Sequence, residues 1–231
     1  MGLLIDKTIG EPTKGLRTLR HASLRDRVFD AIKNAAVRGE LKPGQVVTEI
    51  GIARSLGVAQ ATVREALIQL EVRGFVQRRK RRTYVATLSK ADIDAIYAVR
   101  IPLENLAVEW LIQRKEKDLQ GLEEAYERMK KAARGVDVAE FKDSDFVFHS
   151  ELWSAAGNIY LQEVLERLVP RLFAFAILTM GQYHPTRKKL EEMTEFHGKI
   201  LRSIKARDGK AAKEALEASM DFTWLEDLPS S

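Results

Sequence analysis

From Ser89 almost to the C-terminus, apolar residues recur at helical spacing, and this leaves room for little but a bundle of helices. Ser89-Lys90-Ala91-Asp92 opens the run as a capping box. Breaks fall at Gly135, Gly157-Asn158, His184-Pro185 and Asp208-Gly209, with Asn158 placed to cap the helix after it. The spacing predicts helices near 90–113, 117–133, 138–156, 159–179, 187–207 and 209–225. Short connections favour antiparallel neighbours around one core. Pro102, inside the first of these helices, predicts a kink.

Residues 20–88 follow a different pattern, and residues 1–19 precede it as an extension. Ser23-Leu24-Arg25-Asp26 caps a helix whose apolar stripe is Leu24, Val28, Ala31, Ile32 and Ala35 and which stops near Arg38-Gly39. Pro43-Gly44 turns the chain, and Thr48 caps a short helix ended by Gly57. A third helix starts near Ala59 or Gln60, carries Val63, Ala66, Leu67 and Leu70, and stops at Arg73-Gly74. Two short helices joined at Gly57-Val58 read as a helix-turn-helix. Phe75-Val76-Gln77 and Thr83-Tyr84-Val85-Ala86 then read as a pair of strands around Arg78-Arg79-Lys80-Arg81-Arg82. The fold class expected is therefore mainly α, an N-terminal winged helix-turn-helix followed by an all-α bundle at 89–228.

Charge separates the same two parts. Residues 17–90 hold 16 Lys and Arg against 6 Asp and Glu, whereas residues 91–231 hold 20 against 25. A small basic unit beside a mildly acidic one is expected when only the first touches a polyanion. Five adjacent cations repel one another unless an anion neutralises them, so Arg79, Lys80, Arg81 and Arg82 are expected on DNA phosphates. The third helix is the expected reader in the major groove. Gln60 and Thr62 can hydrogen-bond base edges, Ala61 can touch a thymine methyl, and Arg64 reaches a guanine or a phosphate. One such unit reads few bases, which predicts a homodimer on double-stranded DNA with a near-palindromic operator.

The 231 residues include no cysteine, so disulfides, thiolate metal sites and cysteine nucleophiles are excluded. No apolar run reaches the roughly 18 residues of a membrane span. Met1-Gly2-Leu3-Leu4-Ile5-Asp6 meets an acid too early for a secretion signal, and the expected location is cytoplasmic. In the helical part, Asp145 and His149 are four apart and share a face among Phe141, Phe148, Leu152 and Trp153. His197 lies on a later helix with Met193, Ile200 and Ile204 on its apolar side. By itself this pattern fits an intrahelical pair, a buried partnered histidine or a metal site. Arg100 and Glu104 are likewise four apart; they fit a local ion pair or a clamp on an effector carboxylate.

Gly39-Glu40-Leu41-Lys42-Pro43-Gly44, Thr48-Glu49, Leu56-Gly57-Val58, Val63-Arg64-Glu65-Ala66-Leu67, Leu70 and Gly74-Phe75-Val76 together resemble the DNA-binding domain of GntR-family bacterial transcription regulators. The helical part resembles the ligand-binding FCD domain of the FadR branch, and the likeness extends over about residues 20–225. Ala59-Gln60-Ala61-Thr62 departs from the Ser-Arg-Thr-Pro common in the family, so a glutamine stands where an arginine usually faces DNA. Arg82 stands near the usual wing glycine. The resemblance implies a metal held by an Asp-x-x-x-His pair and two later histidines, which carries over onto Asp145, His149 and His197. Thr223 occupies about the position of the fourth ligand. The remaining donors do not separate zinc, nickel and manganese.

The resulting expectation is a sequence-specific transcription regulator, in the sense of a repressor, controlled, as the resemblance implies, by a small organic acid or related metabolite bound near Arg100 and Glu104. It is not expected to be an enzyme, because no separate general base has a clear place. A metal-dependent enzyme in the helical part and an architectural DNA-binding protein without effector are the alternatives.

Overall fold

The computed structural model describes residues 23–115, 118–183 and 185–220. The expected extension at 1–19, together with His21, His184, Thr223 and the tail of the last expected helix, lies outside the described residues.

Local capping chemistry sets the first helices. The Ser23 hydroxyl accepts from the Asp26 N–H, and the Asp26 carboxylate accepts in return from the Ser23 N–H, which starts α1 (Leu24–Val37). Thr48 caps α2 (Glu49–Leu56), which ends in Gly57 at φ 65°. That left-handed conformation suits glycine and turns the chain into α3 (Gln60–Val72). Val28, Ile32, Val63, Ala66, Leu67 and Leu70 close into one core.

Three antiparallel strands lie beside these helices in the order β1 (Val46–Val47), β3 (Arg82–Val85), β2 (Val76–Arg79). β1 was not expected, since two residues are too few to show alternation. The hairpin is tighter than the sequence suggested. Arg78, Arg79 and Arg82 belong to the strands, and Arg79 pairs directly with Arg82. Lys80 and Arg81 alone make the turn, with Lys80 in the left-handed region at φ 57°.

The remaining helices are α4 (Lys90–Gln113), α5 (Gln120–Gly135), α6 (Val138–Ala156), α7 (Ile159–Leu168), α8 (Pro170–Tyr183), α9 (Arg187–Lys205) and α10 (Gly209–Ser219). α5 packs on α6 and α9, and α10 on α9 and α4. Phe141, Phe148, Leu152, Trp153, Leu165 and Ile200 lie at the centre of their core. The helix expected over 159–179 is two helices. Pro170 has no N–H for the ladder and its ring crowds the residue before it, so it begins α8 rather than continuing α7. α4, in contrast, runs unbroken through Pro102.

α8 joins the two parts. Its Ala174, Ile177 and Leu178 complete the first core, while Phe173 belongs to the second. Its first turn lies directly on Gly74, where an added Cβ would sit 2.4 Å from the Arg171 Cα. Lys33 on α1 donates to Asp143 on α6 at 2.6 Å, a further link between the two parts.

Candidate functional site

Two groups of side chains carry the chemistry. On α3, Gln60, Ala61 and Arg64 are exposed and Thr62 is half-buried. Gln60 and Arg64, one turn apart, both donate to Glu49 at the start of α2. Arg79, Lys80, Arg81 and Arg82 are all exposed at the end of the hairpin. Arg78, in contrast, is held back by Glu71 at 3.2 Å.

The second group is buried in the helical part. Asp145 and His149 on α6 and His197 on α9 each offer one ligand atom, and these atoms lie within 4.8 Å of one another. The His149 Nδ1 sits 2.7 Å from Glu104 Oε2, and the His197 Nδ1 sits 3.0 Å from the Met193 carbonyl. A carbonyl only accepts, and an ionised carboxylate only accepts, so each Nδ1 carries the proton. In the neutral rings both Nε2 atoms are then lone pairs. They face Asp145 Oδ1 at 3.5 Å from His149 and 3.0 Å from His197. Three electron-rich atoms meeting in this way repel unless a proton or a cation lies among them. The donor set therefore fits a divalent metal, with Glu104 and the Met193 carbonyl orienting the imidazoles as outer partners do in metal sites.

The charges around these atoms offset one another. Arg100 Nε donates to Glu104 Oε1 at 2.6 Å, and Lys142 Nζ donates to Asp145 Oδ2 at 2.9 Å. Burial alone would raise the Glu104 carboxyl, but the Arg100 guanidinium and the hydrogen bonds from His149 and Arg100 outweigh it and hold the group at about 2. Burial acts against ionised Asp145 too; the Lys142 ammonium overcomes it and keeps this carboxyl well below its ordinary value. Burial lowers His149 and outweighs the opposing pull of Glu104, which favours the neutral ring that a metal needs. The two carboxylates, one guanidinium and one ammonium thus sum to no net charge.

A narrow cavity of about 20 Å³ opens beside this set, lined by Tyr97, Arg100, Lys142, His149, Phe173 and Met193 among others, and it would have to widen to admit more than about one water. Arg100 is 2% exposed, and its Nη2 makes no hydrogen bond. Arg100 and Glu104, expected together at an effector, take different positions. Both Glu104 oxygens are engaged, and the residue does not line the cavity.

Two residues of the site escaped the sequence reading. Lys142 is three residues before Asp145 on the same apolar face, a spacing that could have drawn attention to it. Glu49 left a weaker trace, because its partners lie 11 and 15 residues further along the chain.

Comparison with known proteins places both groups in matched segments. The model of the gntR family of bacterial regulatory proteins matches residues 24–85, and that of the FCD domain matches residues 95–222. The HTH-type transcriptional regulator YdhC of Bacillus subtilis is 31% identical over 189 residues, which cover 80% of this chain and 83% of that protein. The gluconate operon transcriptional repressor of Bacillus subtilis is 28% identical over 207 residues, covering 88% of this chain and 84% of the repressor. Among solved structures, E. coli McbR/YncC superposes with a TM-score of 0.67 at 24% identity, covering 87% of this chain and 94% of that one, a likeness of fold.

Proposed function

This chain belongs to the gntR family of bacterial regulatory proteins and carries an FCD domain, and from that membership we propose that it is a transcription repressor released from DNA by a small carboxylate. The reading divides the chain into a DNA-binding domain at 20–88 and a ligand-binding and dimerisation domain at 89–228. A homodimer on a near-palindromic operator follows from the small reach of one recognition helix. Gln60, Ala61, Thr62 and Arg64 address bases, while Arg79, Lys80, Arg81 and Arg82 address phosphates. The gluconate operon repressor among the relatives supports repression as the mode of action.

One observation carries the effector assignment: Arg100, whose Nη2 makes no hydrogen bond, lines a cavity beside a buried Asp-His-His set. Asp145, His149 and His197 would hold a zinc, nickel or manganese ion, whose contribution is positive charge for a carboxylate oxygen. The fixed charges already balance, so a divalent ion leaves an excess that an anion satisfies. Glu104 orients Arg100 and His149 without touching the effector. Catalysis is no part of the reading: Arg100 and His149 engage both Glu104 oxygens, and Asp145 is held by Lys142 and assigned to the metal. Among the described residues no helix is long and apolar enough to cross a membrane, in keeping with action on DNA in the cytoplasm.

α8 supports the coupling of effector to DNA. Phe173 and Ala176 line the cavity, and Ala174, Ile177 and Leu178 sit in the core that α1 and α3 share, where α8 packs on α1. The test uses the full chain loaded with each metal in turn, a panel of small mono-, di- and tricarboxylates, and DNA selected from a random duplex pool. At least one acid should raise the melting temperature and weaken DNA binding in the wild type, and Arg100→Met should remove both responses. If no acid in the panel alters DNA affinity, the effector assignment fails.

A further inference from the structure

Glu49 belongs to α2, yet its carboxylate is spent on α3. It accepts from Gln60 Nε2 at 2.8 Å, from Arg64 Nη2 at 3.0 Å and from Arg64 Nε at 3.2 Å. Gln60 and Arg64 stand one turn apart on the exposed face of α3, so a single acid holds both side chains. The Arg64 and Gln60 hydrogen bonds hold the Glu49 carboxyl below its ordinary value, which keeps it anionic at neutral pH.

The atoms left free are as informative as those engaged. Glu49 takes the Nε and inner Nη2 hydrogens of Arg64, which leaves both hydrogens of Nη1 and the outer one of Nη2. Those form an end-on pair of donors, the kind that addresses O6 and N7 of a guanine. For Gln60 the acid takes one amide hydrogen and leaves the other, together with Oε1. That pair, one donor and one acceptor, matches N7 and N6 of an adenine. Glu49 thus restricts both rotamers without consuming the edges that read bases.

Its charge has a second consequence. An anion among the DNA-facing residues offsets the positive charge of Arg64 and adds repulsion toward every phosphate. That cost falls equally on all sequences, whereas the positioning helps only where the bases match. Specificity is the difference between these two affinities.

We propose that Glu49 is a specificity-setting positioning residue, which fixes Arg64 and Gln60 as one base-reading unit and at the same time weakens binding to DNA of arbitrary sequence. The proposal rests on the reading of α3 as the DNA-recognition helix.

The experiment compares full-length wild type, Glu49→Ala, Glu49→Gln, Arg64→Ala and Glu49→Ala/Arg64→Ala. Each is selected on a pool of duplexes with randomised centres, and the bound DNA is sequenced. Each is also titrated with salt on one fixed duplex of arbitrary sequence, after circular dichroism shows native helicity. Both Glu49 variants should bind the fixed duplex at least as tightly as wild type, with a salt slope steeper by roughly one unit. Their preference at one or two positions of each half-site should fall by about tenfold, in the range of a bidentate base contact. In the Arg64→Ala background, removing Glu49 should alter preference at those positions much less.

Unchanged preference in both Glu49 variants overturns the proposal. An equal loss of affinity for all duplexes also overturns it, since that marks Glu49 as a support of α2 alone. A wild type that enriches no sequence fails at an earlier point: it overturns the DNA-reading assignment of α3, and the proposal falls with it.

Discussion

At the scale of single residues, the buried site is an arrangement of protons. His149 spends its Nδ1 hydrogen on Glu104 and His197 spends its own on a backbone carbonyl, so both imidazoles turn lone pairs toward Asp145. The contributions of these partners should separate by metal titration calorimetry on the full chain. His197→Ala deletes a ligand and should lower affinity by 100-fold or more. Glu104→Gln keeps the shape but weakens the orienting bond to His149, and should lower affinity by about 10- to 100-fold. Equal affinity in wild type and His197→Ala would remove the metal assignment. The Asp145–His149 pair was legible because four residues make one helical turn, and His197 entered through the resemblance to a family. Lys142 and Glu49 went unread, since a charged residue gives no local sign of whether it is solvated or folded back. Only the tertiary structure shows that Lys142 balances Asp145 and that Glu49 reaches across to Gln60 and Arg64.

At the scale of elements, caps and breakers made most boundaries readable. Ser23, Thr48, Ser89 and Asn158 each cap the helix that the spacing placed there. The split between α7 and α8 was obscured because apolar residues continue through Leu165, Val169, Leu172 and Phe173 on both sides of Pro170. The hairpin provides a prediction at this scale. Lys80 adopts a left-handed conformation that costs a residue with a Cβ about 1 kcal/mol, and a glycine does so freely. Lys80→Gly should therefore raise stability by up to about 1 kcal/mol in urea unfolding while lowering the magnitude of the DNA salt slope by roughly one unit. A stability gain with no change in slope would mean that Lys80 does not meet phosphate. The helix junction provides another. An added methyl at Gly74 would overlap the α8 backbone at Pro170 and Arg171, and neither backbone can move without its core. Gly74 also has a φ of 78°, so Gly74→Ala carries strain as well as overlap. It should destabilise the chain by about 2 kcal/mol or more. A melting temperature equal to that of wild type would show that α8 does not hold this contact in solution.

At the scale of the whole molecule, the boundary between DNA-binding and helical parts follows the charge in the sequence but not the packing. The core under α3 is finished by Ala174, Ile177 and Leu178, residues that come more than ninety positions after the last strand begins. The first part therefore gains buried apolar surface from α8, and Lys33 and Asp143 tie α1 to α6 beside it. Two units that share a buried helix lose stability together. Differential scanning calorimetry of the full chain should accordingly give one cooperative transition, with calorimetric and van't Hoff enthalpies in agreement if the monomer is the unfolding unit. Ile177 is 3% exposed, and Ile177→Ala should cost about 2–5 kcal/mol through lost contacts and the cavity left behind. Because that cavity lies in the shared region, the variant should also weaken the tie between the parts. Hydrogen exchange should then speed up in α1 and α3 more than in α5 and α6, and a carboxylate that stabilises the helical part should protect α3 less than it does in wild type. Two well-separated transitions in the wild type, or equal acceleration of exchange in all these helices of the variant, would contradict α8 as the structural link through which the buried site acts on the DNA-reading face.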